Sequence, residues 1–383
     1  MTANDLDLSG FANRDGIKWA QAGPGVIPAW VADMDFPVPE VVRQALVHRI
    51  DTDLGYPAWL EAQDGAPLGE AFAERMAKRY GFSPDPSRVR AYCDINQALQ
   101  LILRLMTKPG DHIAIHTPAY HPFLDTLADM DRPALPIPLQ AGENGWEFDL
   151  VRLTSELVRT GCRVLLLVNP HNPTGRVFRS HELESLAALA EELDLLVLSD
   201  EIHADLVYAP GKHIPFGSLA PTRTITLTSA TKAFNLAGVR CCAVHFGADG
   251  AWAALAAEPR HIYGEVNVLG VTATLAAWRE GDAWLERTLA TLEENRRLVA
   301  DRLPEGIGYR LPEATYLAWL DCSALGLADP AEFFLREAGV LLISGPTFGP
   351  SGAGYVRLNF ATPTPVLAEI LTRMDAAVGR IRS

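Results

Sequence analysis

A single lysine, Lys232, lies in the segment best suited to covalent chemistry. Residues 227–232 read LTSATK, so a strand-like apolar run ends, hydroxyl side chains crowd the turn, and the lysine follows in largely apolar surroundings. Partial desolvation lowers the pKa of such an amine and frees it for Schiff-base formation. Ser229 and Arg240 could then hold a phosphate group, the arginine through two parallel hydrogen bonds. The alternative for this segment alone is a surface turn with a solvated lysine.

Two further polar segments also follow strand-like runs. Residues 168–176 read VNPHNPTGR, in which two Asn-Pro steps and a glycine make a rigid, non-helical loop that aims the Asn172 amide inward. Residues 198–203 read LSDEIH, in which Asp200 leaves a buried strand with a carboxylate that needs a cationic partner. A protonated pyridine nitrogen is such a partner, and an acid beside it makes the ring an electron sink. The alternatives are an ordinary turn and a helix-capping aspartate.

Alternating strands and helices must position these segments. Apolar runs predict strands at 113–116, 164–168, 195–198, 225–227 and 239–246. Between two of them, residues 180–194 have the pattern of an amphipathic helix, with Ser180 as its N-cap and Glu182 in its first turn. This order predicts an α/β fold whose mostly parallel, wound sheet is covered on both faces. Ligands of such sheets bind at the carboxyl ends of the strands.

The pattern changes after about residue 265. A long helix runs toward Arg302, and strands at 316–320 and 355–360 are separated by a helix at 330–338. This indicates a second, smaller α/β domain. We therefore predict an N-terminal segment, 1–50, that joins the small domain. The large domain is predicted at 51–280 and the small C-terminal domain at 281–383.

Composition excludes several classes of partner. The 383 residues carry a formal net charge of −14, which disfavours nucleic acid and anionic membranes. No apolar run reaches the roughly 18 residues that cross a bilayer, and the N-terminus lacks the pattern of a signal peptide. The five scattered cysteines fit reduced thiols, and His112 and His116 have no evident third metal ligand. We predict a cytoplasmic protein with no metal site and no nucleic acid or membrane partner.

The three polar segments, in this order and at matching strand ends, resemble those of fold-type I pyridoxal 5′-phosphate (PLP) enzymes. The family is the class I/II aminotransferase superfamily, and in particular its cystathionine β-lyase-like C–S lyase branch. The likeness runs from IPAWVADMDF at 27–36 to YVRLNF at 355–360. The strings NPHNPTG and SDEIH are typical of that branch. The resemblance implies a large domain with a wound, mostly parallel, seven-stranded sheet and a smaller α/β domain.

The same resemblance implies PLP as the cofactor and a role for each matching residue around its ring. Lys232 would hold PLP as a Schiff base and later move protons. Asp200 would pair with the pyridine nitrogen, and Asn172 and His203 would bond the phenolic oxygen. The two residues that would flank the ring faces are Tyr120 and Ile202.

For the phosphate, the resemblance implies a site at the start of a helix and a contribution from a second subunit. Ser229, Arg240 and the backbone of Ile95 and Asn96 would bind the phosphate group. Tyr56 would reach the phosphate of the neighbouring subunit. An active site at the interface of a homodimer is therefore expected.

Arg357 would take the substrate α-carboxylate in a bidentate fork, with the Ala32 backbone and Asn172 nearby. Two positions depart from the family pattern. The phosphate loop, CDINQ at 93–97, lacks the glycine that many relatives carry, so Asp94 lies close to a dianion. We expect its carboxylate to point away from the phosphate or toward the ring side. Arg240 is typical of aminotransferases, whereas several C–S lyases have no arginine there.

The implied function is β-elimination from a cysteine S-conjugate such as cystathionine, which yields a thiol, pyruvate and ammonia. Lys232 would take the α-proton, and Tyr56 or Tyr120 would protonate the departing sulfur. A PLP-dependent aminotransferase is the first alternative, although the second carboxylate grip of a dicarboxylate aminotransferase is not evident. A specialised-metabolism enzyme acting on a large S-conjugate is the second. A non-enzymatic regulator of this fold is disfavoured, because both Lys232 and Asp200 are present.

Overall fold

The computed structural model describes residues 9–12, 14–61, 67–142, 145–259, 262 and 264–382. Helices cover both the predicted helical segments and several stretches between strands. The α-helices are α1 Ser9–Ala12, α2 Ile17–Ala20, α3 Glu40–Thr52, α4 Leu68–Tyr80, α5 Ile95–Met106, α6 His121–Asp129, α7 Leu150–Thr160, α8 Ser180–Glu192, α9 Asp249–Ala256, α10 Val268–Glu280, α11 Asp282–Arg302, α12 Pro330–Phe333 and α13 Thr364–Arg382. Among the described residues, no helix is both long and apolar enough to cross a membrane.

Most strands are short, and the five inner strands of the largest sheet are almost entirely buried. The strands are β1 Ile27–Pro28, β2 Val89–Tyr92, β3 Ile113–Thr117, β4 Ala134–Pro138, β5 Gln140–Gly142, β6 Gly145–Glu147, β7 Val164–Val168, β8 Leu196–Asp200, β9 Thr224–Thr228, β10 Cys242–Phe246, β11 Gly308–Tyr309, β12 Leu317–Asp321, β13 Val340–Leu341, β14 Ile343–Ser344 and β15 Tyr355–Asn359.

The central sheet has seven strands in the order β2-β10-β9-β8-β7-β3-β4. Neighbours from β9 to β4 run parallel, and β10 is antiparallel to both β9 and β2. The continuous apolar run of β7, VLLLV, fits a strand whose two faces are both covered. The predicted α/β class, with a mostly parallel seven-stranded sheet, is confirmed.

Adjacent residues of one strand face different helical layers. In β7, Leu165 and Leu167 pack in a cluster with residues of α7 and α8, whereas Leu166 and Val168 pack in a cluster with residues of α5 and α6. This follows from the two-residue period of a strand. Helices therefore cover both faces of the sheet and leave the strand ends open for a site.

Two local predictions need correction. Ser180 is the first residue of α8, and Arg179 is its N-cap; Glu182 accepts a hydrogen bond from the Arg179 backbone N–H at 2.7 Å. The strand predicted at 239–246 begins only at Cys242. A 3₁₀ turn ends at Val239, and Arg240 has a left-handed backbone with φ of 54°, which interrupts the extended conformation.

A second sheet, β11-β12-β15-β14, is antiparallel and lies among C-terminal elements. The N-terminal strand β1 pairs in parallel with β13, with Ile27 opposite Val340. Strand β1 is therefore joined by backbone hydrogen bonds to the C-terminal part of the chain. The proposed domain boundaries at residues 50 and 280 stay predictions.

Candidate active site

Three polar segments converge because they follow adjacent strands. In the sheet, Val168 at the end of β7 lies opposite Asp200 at the end of β8, and Asp200 lies opposite Leu227 in β9. Pairing continues one step further, since Asn169 donates its backbone N–H to the Asp200 carbonyl at 3.0 Å. The segments that start at Asn169, Asp200 and Ser229 therefore open at the same edge of the sheet, as the sequence predicts for a wound fold.

All but two of the predicted site residues line one pocket at this edge. They are Ala32, Ile95, Asn96, Tyr120, Asn172, Asp200, Ile202, His203, Ser229, Lys232 and Arg240. Arg357 adjoins the pocket through Asn172, whose side-chain oxygen accepts a hydrogen bond from the guanidinium at 3.1 Å. Tyr56 lies apart from the pocket: the residue is 93% exposed and is not among the lining residues.

The Lys232 amine is held by the N-terminal segment. Its Nζ donates to the Ala32 carbonyl at 2.8 Å, and the Tyr316 hydroxyl donates to the same oxygen at 2.8 Å. Burial lowers the pKa of Lys232, while the charges of Asp33 and Asp200 partly oppose that shift. The amine is therefore unprotonated at a lower pH than a solvated lysine, which favours attack on a carbonyl.

Asp200 is a buried carboxylate with one backbone contact to the next turn. Its side chain accepts a hydrogen bond from the Ile202 N–H at 3.1 Å, and the residue is only 4% exposed. Burial raises the pKa of Asp200 to about 7. The charge of Glu201 adds to this upward shift, and the charge of Lys232 opposes it. A cation placed beside Asp200 would hold the carboxylate ionised.

His203 and Arg357 are equally withdrawn from water. Burial, together with the charges of Lys232 and Arg357, lowers the pKa of His203 to about 3, and its Nδ1 is buried without a hydrogen-bond partner. Burial lowers the pKa of Arg357 to about 10, and the guanidinium also donates to the Trp30 carbonyl at 3.0 Å. Among the described residues no carboxylate pairs with Arg357. A buried guanidinium of this kind is ready to bind an anion.

Two further residues of the pocket wall, Tyr120 and Ser229, are held in place by contacts within the protein. Tyr120 is the N-cap residue of α6, and its ring packs edge-on against Phe123 with 5.2 Å between centroids. The Ser229 hydroxyl donates to the Cys241 carbonyl at 2.6 Å and accepts from the Thr231 N–H at 3.1 Å. Both side chains are therefore oriented by the protein itself.

Asp94 differs from expectation. Its carboxylate accepts a hydrogen bond from the Gln97 N–H at 2.7 Å, capping α5, and forms an ion pair with the Arg240 guanidinium. Asp94 and Arg240 both line the pocket, beside Ser229 and the start of α5. The carboxylate thus lies at the end of the pocket where the phosphate was predicted, rather than turning away from it.

Comparison with known proteins identifies the family of this chain. The model of the family described as aminotransferase class I and II matches residues 32–374. The chain belongs to this family. A cystathionine β-lyase of Corynebacterium glutamicum is 33% identical over 381 residues, covering 97% of this chain and 99% of that protein. The cystathionine β-lyase PatB of Bacillus subtilis is 32% identical, covering 94% of this chain and 96% of its own.

A solved structure shows the same fold in a cofactor-bound family member. The PLP-bound C–S lyase of Staphylococcus hominis superimposes with a TM-score of 0.87 at 31% identity, covering 98% of this chain and 97% of that chain. Similarity over almost the full length of both chains means that the shared fold includes the central sheet and the C-terminal part.

The pocket residues of this chain fit a phosphorylated pyridine aldehyde. The fit is tested by polar atoms that the protein leaves without partners: Nδ1 of His203, a residue that lines the pocket, and Nε of Arg357, which adjoins it, are both buried and unbonded. Asp200 adds a buried carboxylate that has only a backbone contact on its Oδ1. An amine, an anion and hydrogen-bonding groups are thus arranged around one cavity.

Sequence reasoning assigned no site role to Tyr316, Cys241, Thr231 or Phe123. Thr231, Cys241 and Phe123 line the pocket, and Tyr316 shares the Ala32 carbonyl with Lys232. Thr231 adjoins Lys232 in the chain, so proximity alone could have suggested it. Tyr316 has no such local signal, because it lies 84 residues further along the chain, directly before β12.

Proposed function

We propose that this protein is a PLP-dependent C–S β-lyase that cleaves cysteine S-conjugates of the cystathionine type into a thiol, pyruvate and ammonia. One observation carries the proposal: a lysine amine of lowered pKa and a buried carboxylate share one pocket, and a buried guanidinium without a carboxylate partner adjoins it. These groups match an aldehyde, a pyridinium and an α-carboxylate, respectively.

The choice of elimination is supported by the relatives. Curated proteins named cystathionine β-lyase align over nearly the whole chain, and structures named C–S lyase share its fold. An aminotransferase needs the same residues around the ring, so it remains the second candidate. Arg240, which aminotransferases also carry, is the feature that favours it.

PLP, once bound, supplies an electron sink for the pair of electrons left when a bond to Cα breaks. The protein supplies the rest. Arg357 binds the α-carboxylate and, with Asn172, fixes the orientation of Cα. The Lys232 amine takes the α-proton as general base, and Asp200 stabilises positive charge at the pyridine nitrogen. Tyr120, or Tyr56 of a second subunit, gives a proton to the departing sulfur.

We further propose that the enzyme is a cytoplasmic homodimer. Tyr56 is exposed on its own chain, and exposed apolar side chains precede it along α3 and the next loop: Val47, Ile50 and Leu54. Such a surface suits a subunit contact that would bring Tyr56 to a neighbouring pocket. The five cysteines form no disulfide, which suits a reducing compartment.

Subunit complementation tests the shared site. Lys232→Ala and Tyr56→Ala homodimers are expected to be impaired, whereas their hybrid contains one site with both native residues. Mixing after mild dissociation should restore activity to about a quarter of the wild-type level, because half of the dimers are hybrid and each has one native site. A mixture of Lys232→Ala and Arg357→Ala, which would both alter the same chain's site, should restore none. Equal recovery in both mixtures would remove Tyr56 from the partner's site.

The reaction is tested with purified, PLP-loaded protein and L-cystathionine, without any keto acid acceptor. A lyase releases pyruvate and free thiol in equal amounts over many turnovers. Conversion of the cofactor to its amine form, with no thiol release, would establish the aminotransferase instead. Failure with cystathionine but release from bulkier S-conjugates would assign the enzyme to specialised metabolism.

A further inference from the structure

The phosphate end of the pocket contains a negative charge that the family role of this region does not require. Asp94 lies on the same wall as Ser229 and Arg240 and directly precedes α5. One carboxylate oxygen accepts the Gln97 N–H at 2.7 Å, and the other pairs with Arg240. A phosphate bound here would therefore lie close to a carboxylate.

Several donors at this end already have internal acceptors. Asp94 occupies the Gln97 N–H and the Arg240 guanidinium, and the Ser229 hydroxyl donates to the Cys241 carbonyl at 2.6 Å. Each donor that turns to a phosphate must give up, or share, its present acceptor. Only the energy difference between the two partners then contributes to affinity.

Asp94 could have either of two opposite roles, and the charge of the phosphate decides between them. As a positioning residue, it would hold Arg240 over the phosphate. The Arg240 and Asp94 side chains are 54% and 32% exposed, and an ion pair this open to water contributes little. As a competitor, Asp94 would repel a group with nearly two negative charges; the same water screens this repulsion, but it acts on about twice the charge that Arg240 presents to Asp94.

We infer that Asp94 is an internal competitor for the phosphate group: it balances Arg240 and the start of α5 in the protein itself and thereby loosens the hold of the site on phosphorylated ligands. The inference rests on the proposed function, because it takes the phosphate of PLP as that ligand. Its consequence is a cofactor that exchanges readily, so that the loaded fraction of the enzyme follows the PLP concentration around it.

The test is titration of the apoenzyme with PLP and, separately, with pyridoxal, which lacks the phosphate. Binding is followed by the absorbance of the lysine-linked chromophore. Asp94→Asn keeps an N-cap of the same shape and removes only the charge. We expect it to lower the Kd for PLP about tenfold and to leave the Kd for pyridoxal unchanged. Asp149→Asn is the matched control, because Asp149 caps α7 through the Arg152 N–H at 2.8 Å, in a helix that contributes no residue to the pocket.

A double-mutant cycle with Arg240→Gln separates the two roles. A competitor is most harmful when its cation is absent, so Asp94→Asn should tighten PLP binding more strongly in the Arg240→Gln background than in the native one. A positioning residue would instead weaken PLP binding in the native background and do nothing once Arg240 is absent.

The inference is overturned if Asp94→Asn leaves PLP affinity unchanged, weakens it, or tightens pyridoxal equally. Those outcomes leave the lyase proposal intact, because the native protein still binds PLP. If native apoenzyme binds neither PLP nor pyridoxal at Lys232, the proposed function itself fails, and the inference with it.

Discussion

The two ends of the pocket treat charge in different ways. At the ring end, Asp200 and His203 are at most 4% exposed. Burial raises the pKa of Asp200 and lowers that of His203, so that the neutral form of each is favoured. At the phosphate end, Asp94 and Arg240 are paired with each other and remain open to water. At the ring end, a ligand must therefore supply the opposite charge that keeps Asp200 ionised. At the end predicted to bind phosphate, Arg240 already has the carboxylate of Asp94 as its partner.

This difference predicts a gradient of effects. Removing a buried charge that has no solvent to replace it changes binding and chemistry strongly. Removing a solvated, paired charge changes affinity modestly. Substitutions should therefore be most damaging at the ring end and mildest at the phosphate end, and the following four predictions test that order.

Lys232→Ala should have the largest effect. Without the amine there is no group to bond the aldehyde or to take the α-proton, so the lysine-linked absorbance and turnover should both fall below detection. Absorbance titration and a pyruvate assay measure the two. Lys212→Ala, at an exposed lysine on a nearby loop, is the control and should behave as wild type. A surviving lysine-linked band in Lys232→Ala would reject the site.

Asp200→Asn should come next, with kcat/KM lowered about 10²–10³-fold, because a preorganised charge is lost from a buried site. Stability should change in the opposite sense. The pKa of Asp200 is raised to about 7, so native apoenzyme is fully stabilised only below the ordinary carboxyl pKa and loses stability as pH rises through 7.

The apo form of Asp200→Asn has no such loss. Its melting temperature should therefore exceed that of native apoenzyme by a margin that grows between pH 4 and pH 8. PLP, which brings a cation to the carboxylate, should shrink the margin. A difference in melting temperature between the two apo proteins that stays constant from pH 4 to pH 8 would contradict the burial of an ionisable Asp200.

Arg357→Ala should lower kcat/KM by about 10²-fold for any α-amino acid substrate, because two charge-assisted hydrogen bonds to the common carboxylate disappear. Arg357→Lys keeps the charge but not the bidentate geometry, and its kcat/KM should lie between those of wild type and Arg357→Ala. The PLP affinity of both variants should stay near that of wild type. Equal loss for an amine substrate that lacks the carboxylate would assign Arg357 a purely structural role.

Tyr56→Phe should have the smallest effect, raising the Kd for PLP by about tenfold through loss of one hydrogen bond to a charged group. Saturating PLP should restore most of the rate where Tyr120 protonates the sulfur, whereas a kcat that stays low at saturating PLP would assign that proton to Tyr56. Sedimentation of the variant checks that the dimer persists. A larger loss than that of Asp200→Asn would reverse the proposed order of the two ends of the pocket.

Much of the site could be predicted because its information is local. Asn172, Asp200 and Lys232 each follow an apolar run at the end of a strand, and parallel strands bring those ends together whatever the details of packing. The same local rules failed where two conformations compete. An apolar run at 239–246 predicts a strand from Val239, yet the left-handed backbone of Arg240 delays it to Cys242.

The sequence by itself determined the fold class, since strand periodicity and turn chemistry act over a few residues, and its resemblance to a known family indicated the family and the candidate site residues. Tertiary structure alone decided how those residues are charged and held. Ala32 meets Lys232 across 200 residues, and Asp94 meets Arg240 across 146. Burial sets the pKa of Asp200 and Arg357, and burial depends on what packs around a side chain, which no local pattern records.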